Sequence, residues 1–403
     1  MSDYTSSLLP IRWAAAPKAA YDVVIIGGGG HGLSTAYHLA ARHGITKVAV
    51  VEADYIASGN TGRNTTIIRA NYGLPQAIRF YQHSLERYQT LEAETGAAIL
   101  HQTKGIVWLA HTEMAMRTER ARAAMNQACG AQTFMRTPQE LKELVPQLDL
   151  SGGGRYPVLG GSHHVEGATA RHDRVAWAFA SGASQRGVDL FQHTPVTAIA
   201  RDGDRVVGVE TPRGRIAAGI VLSAAGGRVT QVAAMAGVRL PVRTHPLHAF
   251  VTNDFAQGFP IILASTELAC YVSQTERGQM LIGAEFDAQP SFSRQSSFAA
   301  IRSYAYKITR LLPFLQDMRI LRQWAGICDL SVDFSPIMSA TALDGFYVTT
   351  GWGTWGFKAI PAGGEGMAEL IATGRPPALI APFTLERFRR DHALADAGSA
   401  GTR

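Results

Sequence analysis

Only three cysteines occur in 403 residues, Cys129, Cys270 and Cys328, odd in number and far apart. They make neither a disulfide framework nor a zinc-ligand pair, and they suit a reducing compartment. Charge is sparse too, at 17% Asp, Glu, Lys and Arg. The net charge is +6, but the arginines are scattered, so no basic tail or stripe speaks for nucleic-acid binding. No apolar run approaches the ~20 residues that cross a bilayer. The early one, residues 23–26, stops at four glycines. Residues 1–20 hold Pro10 and Pro17 and lack an apolar core with a small-residue cleavage site, so no signal peptide is expected. Together these absences predict a cytoplasmic protein without membrane or nucleic-acid partners. No internal repeat or low-complexity tract is visible. What is present is a 46% hydrophobic share and 41 glycines. That share fills a large core and excludes disorder, and the length suits roughly two or three packing units.

The clearest local pattern is β–α–β. Residues 21–26 (YDVVII) predict a buried strand, 27–32 a tight turn, 33–43 a helix and 47–51 a second strand. The turn, GGGGHG, carries G-x-G-x-x-G spacing at Gly27, Gly29 and Gly32, with Gly30 and His31 between them. The first glycine allows the sharp turn, the second lets a pyrophosphate approach the backbone, and the third lets helix and strand pack closely. Free N–H groups at the helix start then face the phosphates. Glu52 closes the second strand, where a carboxylate holds the ribose hydroxyls of an adenosine.

Further along, 76–97, 113–129 and 169–186 read as helices, while 150–167, dense in Gly and His, reads as loop. His163 and His164 within it lack further metal ligands at useful spacing and are expected at the surface. Short β runs at 189–191, 196–199, 205–209, 215–217 and 220–222 turn at Asp202-Gly203 and Arg213-Gly214. A β-rich stretch at 241–285, a helix at 293–311, a strand at 345–350 and a helix at 363–373 complete the pattern.

A plain nicotinamide enzyme would continue with β–α units after Glu52. Instead a polar loop follows at 57–72 (ASGNTGRNTTIIRANY), suited to wrapping an extended cofactor such as FAD. Cofactor contacts are assigned there to Asn60, Arg63, Asn64, Thr65, Thr66 and Ile68. The meander that begins at Val196 ends in a second close-approach glycine site at 223–227, which includes Gly226. Near the C-terminus GWGTWG, with Gly353 and Gly356, precedes Phe357 and Lys358. A lysine or helix N-terminus beside a flavin stabilises the negative charge of its reduced form.

The succession GGGGHG, GNTGRNTTIIRANY, TARHD, GWGTWGFKAIP, spread over about residues 21–390, resembles the β subunit of heterotetrameric sarcosine oxidase, in the glycine/D-amino-acid oxidase class of FAD enzymes. The resemblance implies an α/β fold: a Rossmann-like FAD-binding domain assembled from separated segments, plus an antiparallel-sheet substrate domain with helices. We place the former at 21–100, 155–240 and 326–392 and the latter at 101–154 and 241–325, between an arm (1–20) and a tail (393–403). It implies oxidation of sarcosine or a similar small amine to glycine and formaldehyde, with non-covalent FAD passing electrons through FMN to oxygen. It also implies a larger α subunit and two smaller subunits as partners.

By motif, Arg69 and Lys358 resemble the cations that hold the substrate carboxylate, and a small N-methyl amino acid offers no other strong handle. Tyr72 reads equally as a pocket-lining aromatic or a core tyrosine. His172 in TARHD matches the family position that carries FMN through a covalent bond. Leu281 takes the place where the monomeric relative has an oxygen-activating lysine, and Cys328 lies near that relative's flavin attachment point but reads as a buried apolar residue. Rival readings are a related amine, N-methyl amino acid or opine dehydrogenase on this fold, a flavin-bearing electron-transfer subunit with an idle amine site, and a nicotinamide-only dehydrogenase.

Overall fold

The computed structural model describes residues 9–256, 258–390 and 392–394. The expected arm therefore lies outside the described residues up to residue 8, and the expected tail from residue 395 onward. Among the described residues no helix is long and apolar enough to cross a membrane.

The strand Ala20–Ile26 is central to an eight-stranded sheet. It pairs in parallel with Val48–Val51 on one side and with Gly214–Ser223 on the other. Asp189–Phe191 extends the parallel set beyond Val48–Val51, and Phe346–Thr350 extends it beyond the end of Gly214–Ser223. Such strands are buried on both faces, which explains why their sequences are continuous apolar runs rather than alternating ones. The meander is formed by Ala198–Asp202, Arg205–Thr211 and Gly214–Ser223, with Gly203 and Gly214 both at positive φ. Thus the two β runs expected at 215–217 and 220–222 are one strand.

One face of this sheet carries the helices Gly30–His43, Pro75–Thr95, His172–Gln185 and Ile360–Thr373. The first and last of these pack closely. A Cβ on Gly364 would stand 2.1 Å from Ser34 Oγ and 2.7 Å from the Ser34 backbone carbon, so only glycine permits that approach. Pro361 sits in the first turn of its helix, where its missing N–H costs nothing.

A second eight-stranded sheet runs in the order Ile320–Ser331, Val242–Asp254, Gln279–Phe286, Cys270–Gln274, Ile262–Ser265, Ile106–Ala110, Gly160–His164, Thr133–Arg136. All its pairings are antiparallel except that of Ile106–Ala110 with Ile262–Ser265. The helices Pro138–Leu144 and Phe298–Leu311 share its core. Two expectations differ from this arrangement. Residues 150–167 are not all loop: Gly160–His164 is a buried strand of the second sheet, although the boundary at 155 assigned it to the first. Ile320–Ser331 likewise crosses the boundary at 325/326 as one continuous strand.

Candidate active site

The glycine turn closes against the rest of the first sheet. Gly27 has φ 113°, and a Cβ there would stand 2.4 Å from the Ala224 carbonyl oxygen. A Cβ on Gly32 would stand 2.1 Å from the Gly27 oxygen, so the third glycine is the helix–strand contact that the motif requires. The helix begins at Gly30, within the glycine run rather than at residue 33. Glu52 meets the turn from the second strand: its Oε2 accepts from Gly28 N–H at 2.8 Å and its Oε1 from Asp54 N–H at 2.9 Å. The 223–227 segment forms the opposite wall, and Asn60 ties the polar loop to it through Ile327, accepting from its N–H at 2.8 Å and donating to its carbonyl.

These walls enclose a cavity of about 460 Å³ that extends from Glu52 to the second sheet. Gly27, Gly29, Gly30, His31, Glu52, Asn60, Arg63, Asn64, Thr65, Thr66, Arg69, Val196, Gly226, Gly353, Gly356, Phe357 and Lys358 all line it. Four sequence-assigned residues do not. Gly32 lies behind the turn in its packing role, and Ile68 is fully buried in the helical core while its neighbour Ile67 faces the cavity. Tyr72 is a core aromatic, stacked on Tyr81 at 4.1 Å between centroids, with the Arg69 guanidinium 4.3 Å above its ring. His172 lies elsewhere, as the first residue of the helix His172–Gln185; its neighbours Arg171, Asp173 and Arg174 line a separate cleft with Glu276 and Arg277, but His172 itself does not. Its Nδ1 is buried without a hydrogen-bond partner, and burial pushes its pKa down.

Arg69 and Lys358 are both buried on the same cavity. Arg69 donates from Nη1 to Asn71 O and Oδ1, at 3.1 and 3.0 Å, and lies between the rings of Tyr72 and Trp108. Lys358 Nζ donates to Thr354 O at 2.8 Å. Burial first, and the Arg69 charge second, hold Lys358 well below the usual lysine range. A buried guanidinium beside a buried lysine makes a site to which an anion is matched. The loop that carries Lys358 is tied down by Asp329, whose Oδ2 accepts from Thr350 Oγ1 and Gly351 N–H, both at 2.8 Å. Asp329 is itself buried, which pushes its carboxyl pKa up against those hydrogen bonds. His31 stacks on Trp352 at 4.0 Å and bonds Gly356 O at 3.0 Å, while burial pushes its pKa down to about 3.

The second sheet contributes residues that the motifs do not mark. Trp108, His248 and Tyr271 line the cavity, and Tyr271 accepts from Thr65 Oγ1 at 2.7 Å with its pKa raised by burial to about 12. No sequence signal singles them out, because each is one aromatic in a β run. Leu281 is buried and is not among the residues that line the cavity. Cys328 does line it, as a free buried thiol whose pKa burial pushes up. His163 and His164, expected at the surface, are both buried, His164 completely.

A tight glycine turn on parallel strands, a carboxylate beyond it and a buried arginine–lysine pair on the same cavity define a dinucleotide-dependent oxidoreductase. Residues 22–370 match the family model described as DAO, FAD dependent oxidoreductase. The chain is 41% identical over 401 residues to sarcosine oxidase subunit beta of an Arthrobacter species, covering 99% of each. It is 41% identical to the protein of the same name from Rhizobium meliloti (strain 1021), covering 96% of this chain and 94% of that one. The L-proline dehydrogenase structure from P. horikoshii superposes with a TM-score of 0.87 at 28% identity, over 93% of this chain and 99% of that one. The chain belongs to the family of sarcosine oxidase β subunits, FAD-dependent oxidoreductases that act on amines.

Proposed function

We propose that the protein oxidatively demethylates sarcosine to glycine and formaldehyde. The observation that carries this reading is the buried Arg69–Lys358 pair on the cavity that begins at the glycine turn. FAD fits that cavity: Gly27 and Gly32 leave no room for a Cβ, and Glu52 stands at the end where the adenosine ribose belongs. The roles of Asn60, Arg63, Asn64, Thr65, Thr66, Val196, Gly226, Gly353, Gly356 and Phe357 are to surround it. FMN is assigned to His172, supported by its buried Nδ1 without a hydrogen-bond partner. Bound in that cavity, FAD would supply the two-electron acceptor for the C–H bond beside nitrogen, and FMN held at His172 would supply the route to oxygen.

The chain's own part is positioning. Arg69 and Lys358 neutralise the substrate carboxylate and fix the direction in which the N-methyl group extends. Trp108, Tyr271 and the Phe357 loop supply apolar walls to the site. The names of the relatives as β subunits support assembly with other subunits, and the partners assigned are a larger α subunit and two smaller ones. The test is anaerobic reduction of the flavin by sarcosine, set beside dimethylglycine and proline. Arg69→Ala should abolish reduction at unchanged flavin content. Equal reduction in wild type and variant rejects the reading. The FMN assignment is tested by mass analysis of the denatured chain, where a flavin adduct should disappear in His172→Ala.

A further inference from the structure

A buried polar chain leads from the second sheet to the segment that carries Arg69, and the proposed reaction does not use it. His164, on the strand Gly160–His164, accepts at Nε2 from Ala70 N–H at 3.3 Å. That acceptance fixes the ring: Nε2 carries no proton, so Nδ1 carries it and donates to Thr133 Oγ1 at 3.1 Å. The Thr133 hydroxyl donates in turn to Asn126 Oδ1 at 2.9 Å, and Asn126 Nδ2 donates to Tyr72 O at 2.6 Å. All three side chains are fully buried. Both ends of the chain therefore grip residues 70–72, and Asn71 between them accepts from the Arg69 guanidinium through its backbone and side-chain oxygens.

The chemistry of these links matters as much as their geometry. Each is neutral: burial and the adjacent Arg69 charge push the His164 pKa down to about 3, while the Gln132 carbonyl pulls weakly the other way. A carboxylate in this place would quench the guanidinium, and an ammonium would repel it. A neutral histidine, threonine and asparagine hold the backbone beneath the cation without bringing a charge of their own beside it.

We propose that His164, acting through Thr133 and Asn126, is a positioning residue that presents Arg69 to the substrate carboxylate; this rests on the reading of Arg69 as the anion clamp. The test uses the flavin-loaded enzyme and two measurements, sarcosine KM and kcat, and the Kd of methoxyacetate from the flavin absorbance change. Methoxyacetate carries the carboxylate and an ether oxygen where sarcosine has nitrogen. His164→Phe and Thr133→Val should each raise KM and Kd roughly tenfold, with a smaller effect on kcat. His164→Gln, which can accept from Ala70 and donate to Thr133, should restore most of the affinity. Thr133→Val is nearly isosteric and reads the same link if His164→Phe does not fold. Wild-type Kd in Thr133→Val, or losses falling equally on kcat, Kd and flavin content, overturn the proposal. Arg69→Ala separates the two readings. If it leaves methoxyacetate affinity intact, the clamp assignment fails; if it abolishes binding while the other variants bind normally, only the positioning role fails.

Discussion

Lys358 is an ammonium group held where water scarcely reaches it, next to a second cation. Both influences favour the neutral amine, and a bound carboxylate reverses them. Anion binding is therefore expected to take up a proton. In the free site the pKa is depressed and in the bound site it is raised, so affinity is highest at low pH and falls as pH rises between the two values. Methoxyacetate titrations across pH should show Kd rising with pH in wild type and a flat profile in Lys358→Met; a flat wild-type profile rejects the coupling. The buried histidines make a second prediction. His38 and His164 have pKa values pushed down by burial to about 4 and about 3. The unfolded chain binds protons at these positions below about pH 6.5 while the folded chain does not, so stability is full above that pH and falls below it, by up to about 1.4 kcal/mol per pH unit per group. Thermal melting should fall progressively as the buffer is taken from about pH 7.5 to about pH 4.5, and an unchanged melting temperature rules this out.

Elements meet here through contacts that leave no spare volume. In Gly364→Ala the new methyl would collide with Ser34 side chain and backbone, and the two helices flanking the glycine turn must separate. A cost of about 1–3 kcal/mol is expected, read as a lower denaturation midpoint together with reduced flavin content. Retention of both would show that the helices yield freely. These same contacts decide what was legible in the sequence. The long helices were visible because their content of helix formers is local, as at Pro75–Thr95, expected at 76–97, whereas the short helix Pro138–Leu144 was not expected. The strand Gly160–His164 was not, because it holds no β-branched residue. A Cβ on Gly161 would stand 2.5 Å from the Trp108 oxygen, so glycine there serves strand approach while imitating loop composition. The site divides in the same way. The glycine turn, Glu52, Arg69 and Lys358 sit in recognisable motifs, whereas Trp108, His248 and Tyr271 face the cavity only because of the register of a sheet assembled from distant segments. Period and composition could not decide Tyr72, since a core tyrosine and a pocket tyrosine look alike until Tyr81 is found stacked upon it.

For the molecule as a whole, the C-terminal segment is a fastening. Arg387 donates to both oxygens of Asp333, at 2.8 and 3.0 Å, and to Ser335 O, all of them buried, while Leu394 N–H donates to the same carboxylate. Removing one partner strands a buried charge, so Arg387→Met is expected to cost about 3–5 kcal/mol. Asp333→Asn/Arg387→Met should lose less, since neither charge is then left alone. Equal melting temperatures for wild type and Arg387→Met contradict this. The position of Phe346–Thr350 in the first sheet has a further consequence. This strand pairs with the end of Gly214–Ser223, next to the N-terminal strand, and the loop that follows it delivers Lys358 to the cavity. A chain still emerging from the ribosome and made only up to Gly345 has its glycine turn but neither this strand nor the lysine loop. Both must be made before the cofactor has a finished berth, so flavin loading is expected to follow the emergence of this strand and loop.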